Sequence, residues 1–157
     1  MARAPRQLRL TGVFAAAVTP NLPGALDADY SGLLELLDFL AANHLGWSAA
    51  MAPAIMGNPD RPELSGTLEN SFCATDPEIA REFARVTFLS DNRADLSSIK
   101  ARTLILQCQQ DIIAPIAVGE YVHGQIPNSQ FKLLNATGHC PNLSAPDEVT
   151  AAIREFV

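Results

Sequence analysis

Basic side chains are scarce in this sequence: 11 lysines and arginines stand against 17 aspartates and glutamates, a formal net charge of −6. Phosphate binding needs a basic surface, so the balance argues against a nucleic-acid partner. Cysteine is scarcer still. Cys73, Cys108 and Cys140 are an odd number without paired short spacing. They outline neither a disulfide framework nor a CxxC-type zinc site, and the expectation is a reducing, cytoplasmic location. No apolar run approaches the roughly 18 to 20 residues of a membrane-spanning helix, so no membrane partner is expected. Eleven prolines and nine glycines punctuate the chain and exclude a long coiled coil. What is present is a 157-residue chain, 48% hydrophobic and 18% charged, the composition of one packed globular domain.

The first 25 residues read differently from the rest. Arg3, Arg6 and Arg9 precede the apolar stretch Leu10 to Val18, and no acidic residue occurs before Asp27. A secretory leader has such a charged start and apolar middle. Thr11 and Gly12 interrupt the run, however, and Pro20 and Pro23 stand where a small-residue cleavage site belongs. A buried strand from Leu8 to Phe14 is the preferred reading.

From Asp29 the periodicity is helical. Leu33, Leu36 or Leu37, and Leu40 recur at helical spacing, with Gly46 closing the run. Trp47 to Met56 predicts a second short helix, kinked or ended near Pro53, and Gly57-Asn58-Pro59-Asp60 a turn. Glu63 to Phe72 is a third helix. Thr75 with Glu78 three residues on predicts a capping box for a fourth, which puts Ile79, Phe83 and Val86 on one face. After Asp91 the texture changes. Thr103 to Cys108 is a short, nearly continuous apolar run, as in a strand covered on both faces. Pro115 to Gln125 is helical, Gln130 to Leu134 a second strand, and Ser144 with Asp147 marks the start of a last helix. Strand, helix, strand, helix is the order of a parallel sheet. So small a parallel sheet leaves an open edge, as if it were one side of a larger doubly wound fold.

In open parallel sheets, ligands and catalytic groups lie beyond the carboxyl ends of the strands. Asp111 follows the first strand and His139 the second, one crossover apart, which is the placing a triad needs for its orienting acid and its base. The alternative is plain: Asp111 caps a helix and His139 is an ordinary loop residue. His44 is expected at a helix end, where the dipole favours a cation, and His123 late in a helix and exposed. Trp47, Met51, Met56, Phe72, Phe83 and Phe88 line either an apolar pocket or a helical core, with core favoured. Cys108 reads as a small hydrophobe. Cys140 beside His139 is a poor nucleophile pair, because adjacent loop residues rarely face each other. Asp91, Arg93 and Asp95 read as a solvated turn and helix start.

Several peptides carry a family resemblance: Leu45-Gly46-Trp47-Ser48, Met56-Gly57-Asn58-Pro59, Ser71 to Pro77, Thr87 to Asp91, and Ala136 to Pro141. Together they resemble the α/β-hydrolases of the bacterial sigma-B stress regulator RsbQ type, related to plant karrikin and strigolactone receptors. The resemblance runs from about Asp29 to Val157. It implies an α/β fold with a four-helix lid over residues 26–91 and the C-terminal part of a hydrolase core over 92–157. Residues 1–25 would be a remnant core strand and linker. It also implies hydrolysis of a small apolar ester or related acyl compound, with Asp111 as triad acid and His139 as base. No metal or organic cofactor is implied, and a signalling protein is a further expected partner.

The family nucleophile is a serine on a strand-to-helix elbow ahead of the lid, and no serine occurs before Asp29 here. The expectation is a chain inactive by itself, whether truncated or frame-shifted, or else a non-catalytic ligand-binding or regulatory protein. Gly46-Trp47-Ser48-Ala49-Ala50 approaches the G-x-S-x-G elbow. It follows a helical pattern rather than a strand, so Ser48 is not expected to be the nucleophile.

Overall fold

The computed structural model describes residues 30–157, and the expected strand Leu8 to Phe14 and the linker up to residue 25 lie outside them. Four helices come first: α1 (Tyr30–Ala42), α2 (His44–Met56), α3 (Pro62–Cys73) and α4 (Pro77–Leu89). A short 3-10 helix, Arg93–Ser98, leads into β1 (Thr103–Gln110), α5 (Ile116–Gln125), β2 (Ser129–Thr137), the single turn α6 (Pro141–Ser144) and α7 (Pro146–Phe156). The two strands pair in parallel from Thr103 opposite Ser129 to Cys108 opposite Leu134, with an irregularity before Gln110 meets Thr137.

The helical block holds together on the stripe its periodicity announces. Leu40, Trp47 and Ala84 are buried, and Leu36, Leu37, Met51, Phe72 and Phe88 pack against them. Trp47 and Phe72 meet with ring centroids 5.4 Å apart. On the sheet, Cys108, Leu134, Ala136 and Ala152 form one core under α7. Leu96, Val122 and Ile126 form another, with Ile99, Ile105 and Tyr121 around it.

Several boundaries differ from expectation by one to four residues, and those of the helices have a hydrogen-bonding reason. The first helix ends at Ala42 rather than Gly46. Asn43 breaks it and caps α2, its Oδ1 accepting the Gly46 N–H at 2.9 Å. His44 therefore stands at a helix start, not at an end where the dipole would favour a cation. Helix α2 runs through Pro53 to Met56 and stops at Gly57, whose φ of 59° is left-handed. The cap of α4 is Asp76, whose Oδ1 accepts from Glu78 and Ile79 N–H, while the Thr75 hydroxyl donates back to the Ser71 carbonyl. The last helix begins at Pro146 without a side-chain cap. Ser144 instead bonds the Thr137 and Cys140 carbonyls. Ile79, Phe83 and Val86 do share a face of α4, but that face is 58–65% exposed.

Candidate active site

Strand β1 delivers the chain to Asp111 just beyond its carboxyl end, and β2 delivers it to His139 two residues beyond Thr137. The two residues meet: His139 Nδ1 lies 2.7 Å from Asp111 Oδ2. The Asp111 side chain is 5% exposed and that of His139 33% exposed, so the carboxylate is sealed and the imidazole open. Asp111 Oδ1 is also engaged, accepting the backbone N–H groups of Ile113 at 2.8 Å and Ala114 at 3.0 Å. Burial pushes the Asp111 carboxyl up. The His139 hydrogen bond and the Ala114 and Ile113 amides outweigh it and hold the group below its usual range.

This arrangement fixes the imidazole by one nitrogen. An ionised carboxylate at Nδ1 keeps a proton there, so Nε2 carries the lone pair that can take a proton from a hydroxyl. Among the described residues no serine hydroxyl is hydrogen-bonded to His139. Ser48 is fully buried inside α2, and its hydroxyl donates to the His44 carbonyl at 2.8 Å. His123 is placed as expected, exposed near the end of α5 with Nδ1 2.8 Å from the Ser129 hydroxyl. Burial pushes Cys108 up to about 11 and also raises Cys140, with Asp111 adding to both. Both sulfurs thus stay as thiols at neutral pH, and Cys140 is no activated nucleophile. Asp91 grips the Arg93 guanidinium with both oxygens, and that hydrogen bond brings its carboxyl down to about 2.

A cavity of about 530 Å³ opens beside Asp111, lined by Gly57, Gln110, Ile112, Pro115, Ile116 and Gly138 among others. None of Trp47, Met51, Met56, Phe72, Phe83 and Phe88 lines it. Met56 is fully buried, and Met51, Phe72 and Phe88 belong with Trp47 to the helical core. No group of three or more metal-ligating side chains occurs among the described residues.

The sequence reading missed a junction beneath His139. The His139 N–H donates to the Ile55 carbonyl at 2.8 Å, and the Gly138 N–H to the Gln110 carbonyl at 2.7 Å. Asn58 Nδ2 donates to the Met56 carbonyl at 2.5 Å and to the Thr137 carbonyl at 2.9 Å. Arg61 Nη1 reaches the Ser144 carbonyl at 2.7 Å. The signal in the sequence lay in the peptides Met56 to Pro59 and Ala136 to Pro141 and in their glycines, Gly57 and Gly138, both of which adopt positive φ.

No protein-family model matches the chain. It is 32% identical to a probable esterase of Oryza sativa subsp. japonica, with 83% of this chain and 51% of that protein covered. It is 28% identical to the karrikin insensitive 2 receptor CA of Petunia hybrida, over 94% of this chain and 62% of that protein. A solved hydrolase from Oleispira antarctica superposes with a TM-score of 0.77 and 40% identity, covering 80% of this chain and 46% of that one. The chain spans about half the length of the curated relatives it matches. Its helical layer and parallel strands are of the α/β-hydrolase type, and the proteins it is similar to include esterases, hydrolases and karrikin receptors. No described helix is long and apolar enough to cross a membrane.

Proposed function

From α/β-hydrolase kinship as the premise, we propose that this chain carries the acid and base of a serine hydrolase acting on a small apolar ester or related acyl compound. The observation that carries the reading is the Asp111–His139 hydrogen bond at the carboxyl ends of two parallel strands. In this mechanism His139 Nε2 takes the proton of a serine hydroxyl as its oxygen attacks the acyl carbon. The tetrahedral adduct then collapses, the alcohol leaves with that proton, and an acyl-enzyme remains. Water, deprotonated by His139, releases the acid. Asp111 holds the tautomer and stabilises the imidazolium.

The nucleophile is not among the described serines, so the chain by itself is inactive in this reading. Residues 26–91 serve as the lid and 92–157 as part of the core, in a cytoplasmic protein. The lid peptides Met56 to Pro59 and Ser71 to Pro77 favour the RsbQ type, with a role in stress signalling and a protein partner. A second reading is a ligand-binding or regulatory protein without turnover. It is favoured by the burial of Ser48 in α2, which removes the one serine in an elbow-like sequence.

The test is a chimera in which residues 30–157 replace the matching part of the Oleispira antarctica hydrolase, assayed on p-nitrophenyl acetate. Turnover that falls by about 10³-fold or more in His139→Ala supports the hydrolase reading. A folded chimera without turnover, or one indifferent to His139→Ala, overturns it in favour of the binding protein.

A further inference from the structure

The turn that ends α2 is fastened to the loop carrying His139 by backbone groups and one side chain. The Ile55 carbonyl accepts the His139 N–H at 2.8 Å, so the backbone of the base is tied to the helical layer as well as to the sheet. Two carbonyls lie close together at this junction, those of Met56 from α2 and Thr137 from β2. Asn58 Nδ2 donates to both, at 2.5 and 2.9 Å. A primary amide suits this place because one nitrogen carries two hydrogens. The approach is close enough that a β-carbon on Gly138 would overlap the Met56 carbonyl.

We propose that Asn58 is a positioning residue for His139: its amide clamps the end of α2 to the end of β2 and so fixes the His139 ring against Asp111. The inference rests on the reading of His139 as the base. Without the amide, two carbonyl dipoles face each other unbridged, and the loop loses the cross-brace one residue before Gly138. The ring then keeps Asp111 and the backbone bond to Ile55, but the end of α2 that carries Ile55 is no longer clamped to β2 by a side chain, so the helical layer sets where Nε2 points less firmly. Arg61 provides a comparison within the same junction, because it also joins the helical layer to the chain after β2, but at Ser144, beyond the His139 loop.

The test is made on the full 157-residue chain labelled with ¹⁵N, reading the His139 ring nitrogens and the Nδ1 proton by NMR. The resonances are assigned by their loss in His139→Ala. In Asn58→Ala the Nδ1 proton is expected to broaden or disappear, and exchange of the His139 amide to accelerate about five- to tenfold, the range for one net hydrogen bond. His44 and His123 keep their signals. Arg61→Gln is expected to lower the melting temperature while leaving the His139 ring unchanged. Asn58→Asp, which keeps the shape and removes the donor, serves if Asn58→Ala does not fold, with the same loss expected. An unchanged His139 ring in a folded Asn58 variant overturns the proposal. So does an equal change in Arg61→Gln, since docking of the helical layer as a whole would then hold the ring. Turnover plays no part in this measurement. A silent chimera with a responsive ring removes the hydrolase reading alone, and an active chimera with an unresponsive ring removes the role of Asn58 alone.

Discussion

Asp111 divides its two oxygens between its own loop and the His139 ring. Oδ1 caps the Ile113 and Ala114 amides and Oδ2 faces His139, so Asp111→Asn separates the two tasks. An asparagine retains an oxygen for the amides but presents an N–H to Nδ1, which drives the ring proton to Nε2; in the chimera, under the proposal that His139 is the base, the expected loss is about 10⁴-fold in kcat. The stability effect has its own pH signature. The carboxyl's folded pKa lies below its ordinary value, so its contribution is full above the unfolded pKa of about 3.9 and fades as pH falls through the folded one. Melting curves of wild type and Asp111→Asn are expected to differ most near neutral pH and to converge as pH falls below about 4. A gap that widens in acid would show that the carboxylate does not stabilise the fold. Both residues were legible from the sequence because strand ends are read from apolar runs. Their contact was expected only as what a triad and the resemblance require, since spacing along the chain does not fix which way a loop side chain turns.

At the scale of elements, a helix stripe is read from many apolar residues, whereas its cap is decided by one hydrogen bond. That is why all four helices of the first block were legible while the caps of α2 and α4 were not. Thr75 and Asp76 both have capping side chains. Asp76 takes the place because Pro77 follows it, preset for the first helical turn and with no N–H to satisfy. Part of the contact of α5 with the strands is likewise invisible to periodicity, since it runs through Gly119. A β-carbon on Gly119 would lie 2.6 Å from Gln107 Oε1 and 2.8 Å from Phe131 Cε2. The Gln107 amide cannot easily swing away, because Nε2 donates to the Ala114 carbonyl at 2.8 Å and the Cys108 carbonyl at 3.2 Å. Alanine in a helix is worth up to about 1 kcal/mol over glycine, while overpacking costs about 1–3 kcal/mol. Overpacking wins, and Gly119→Ala is expected to lower the urea midpoint. Gly66→Ala in α3, where nothing lies within 4 Å of the added carbon, is expected to raise it. If both substitutions stabilise, helix propensity governs and the contact is loose.

At the scale of the whole molecule, the helical core around Trp47 and the sheet cores around Leu134 and Val122 are separate clusters. One place where they meet is a junction of backbone carbonyls and amides, with Asn58 and Arg61 as side-chain donors. Hydrophobic pattern does not record such a junction, because backbone groups are the same in every residue. Its two side-chain donors and the glycines it requires are what it leaves in the sequence. Gly138 is the critical one, having φ of 89° and no room beside the Met56 carbonyl. Gly138→Ala therefore carries backbone strain of about 1–3 kcal/mol and must also push α2 away from β2. Trp47, the single tryptophan, reports on the helical block, and amide exchange in β1 and β2 reports on the sheet. In the wild type, loss of Trp47 emission with urea and loss of protection in the strands are expected to coincide, as one cooperative unit. In Gly138→Ala the Trp47 transition is expected at lower urea than the strand transition, because the helical block has lost its anchorage while the sheet cores are untouched. Transitions that shift together would mean that the two layers are coupled by contacts other than this junction.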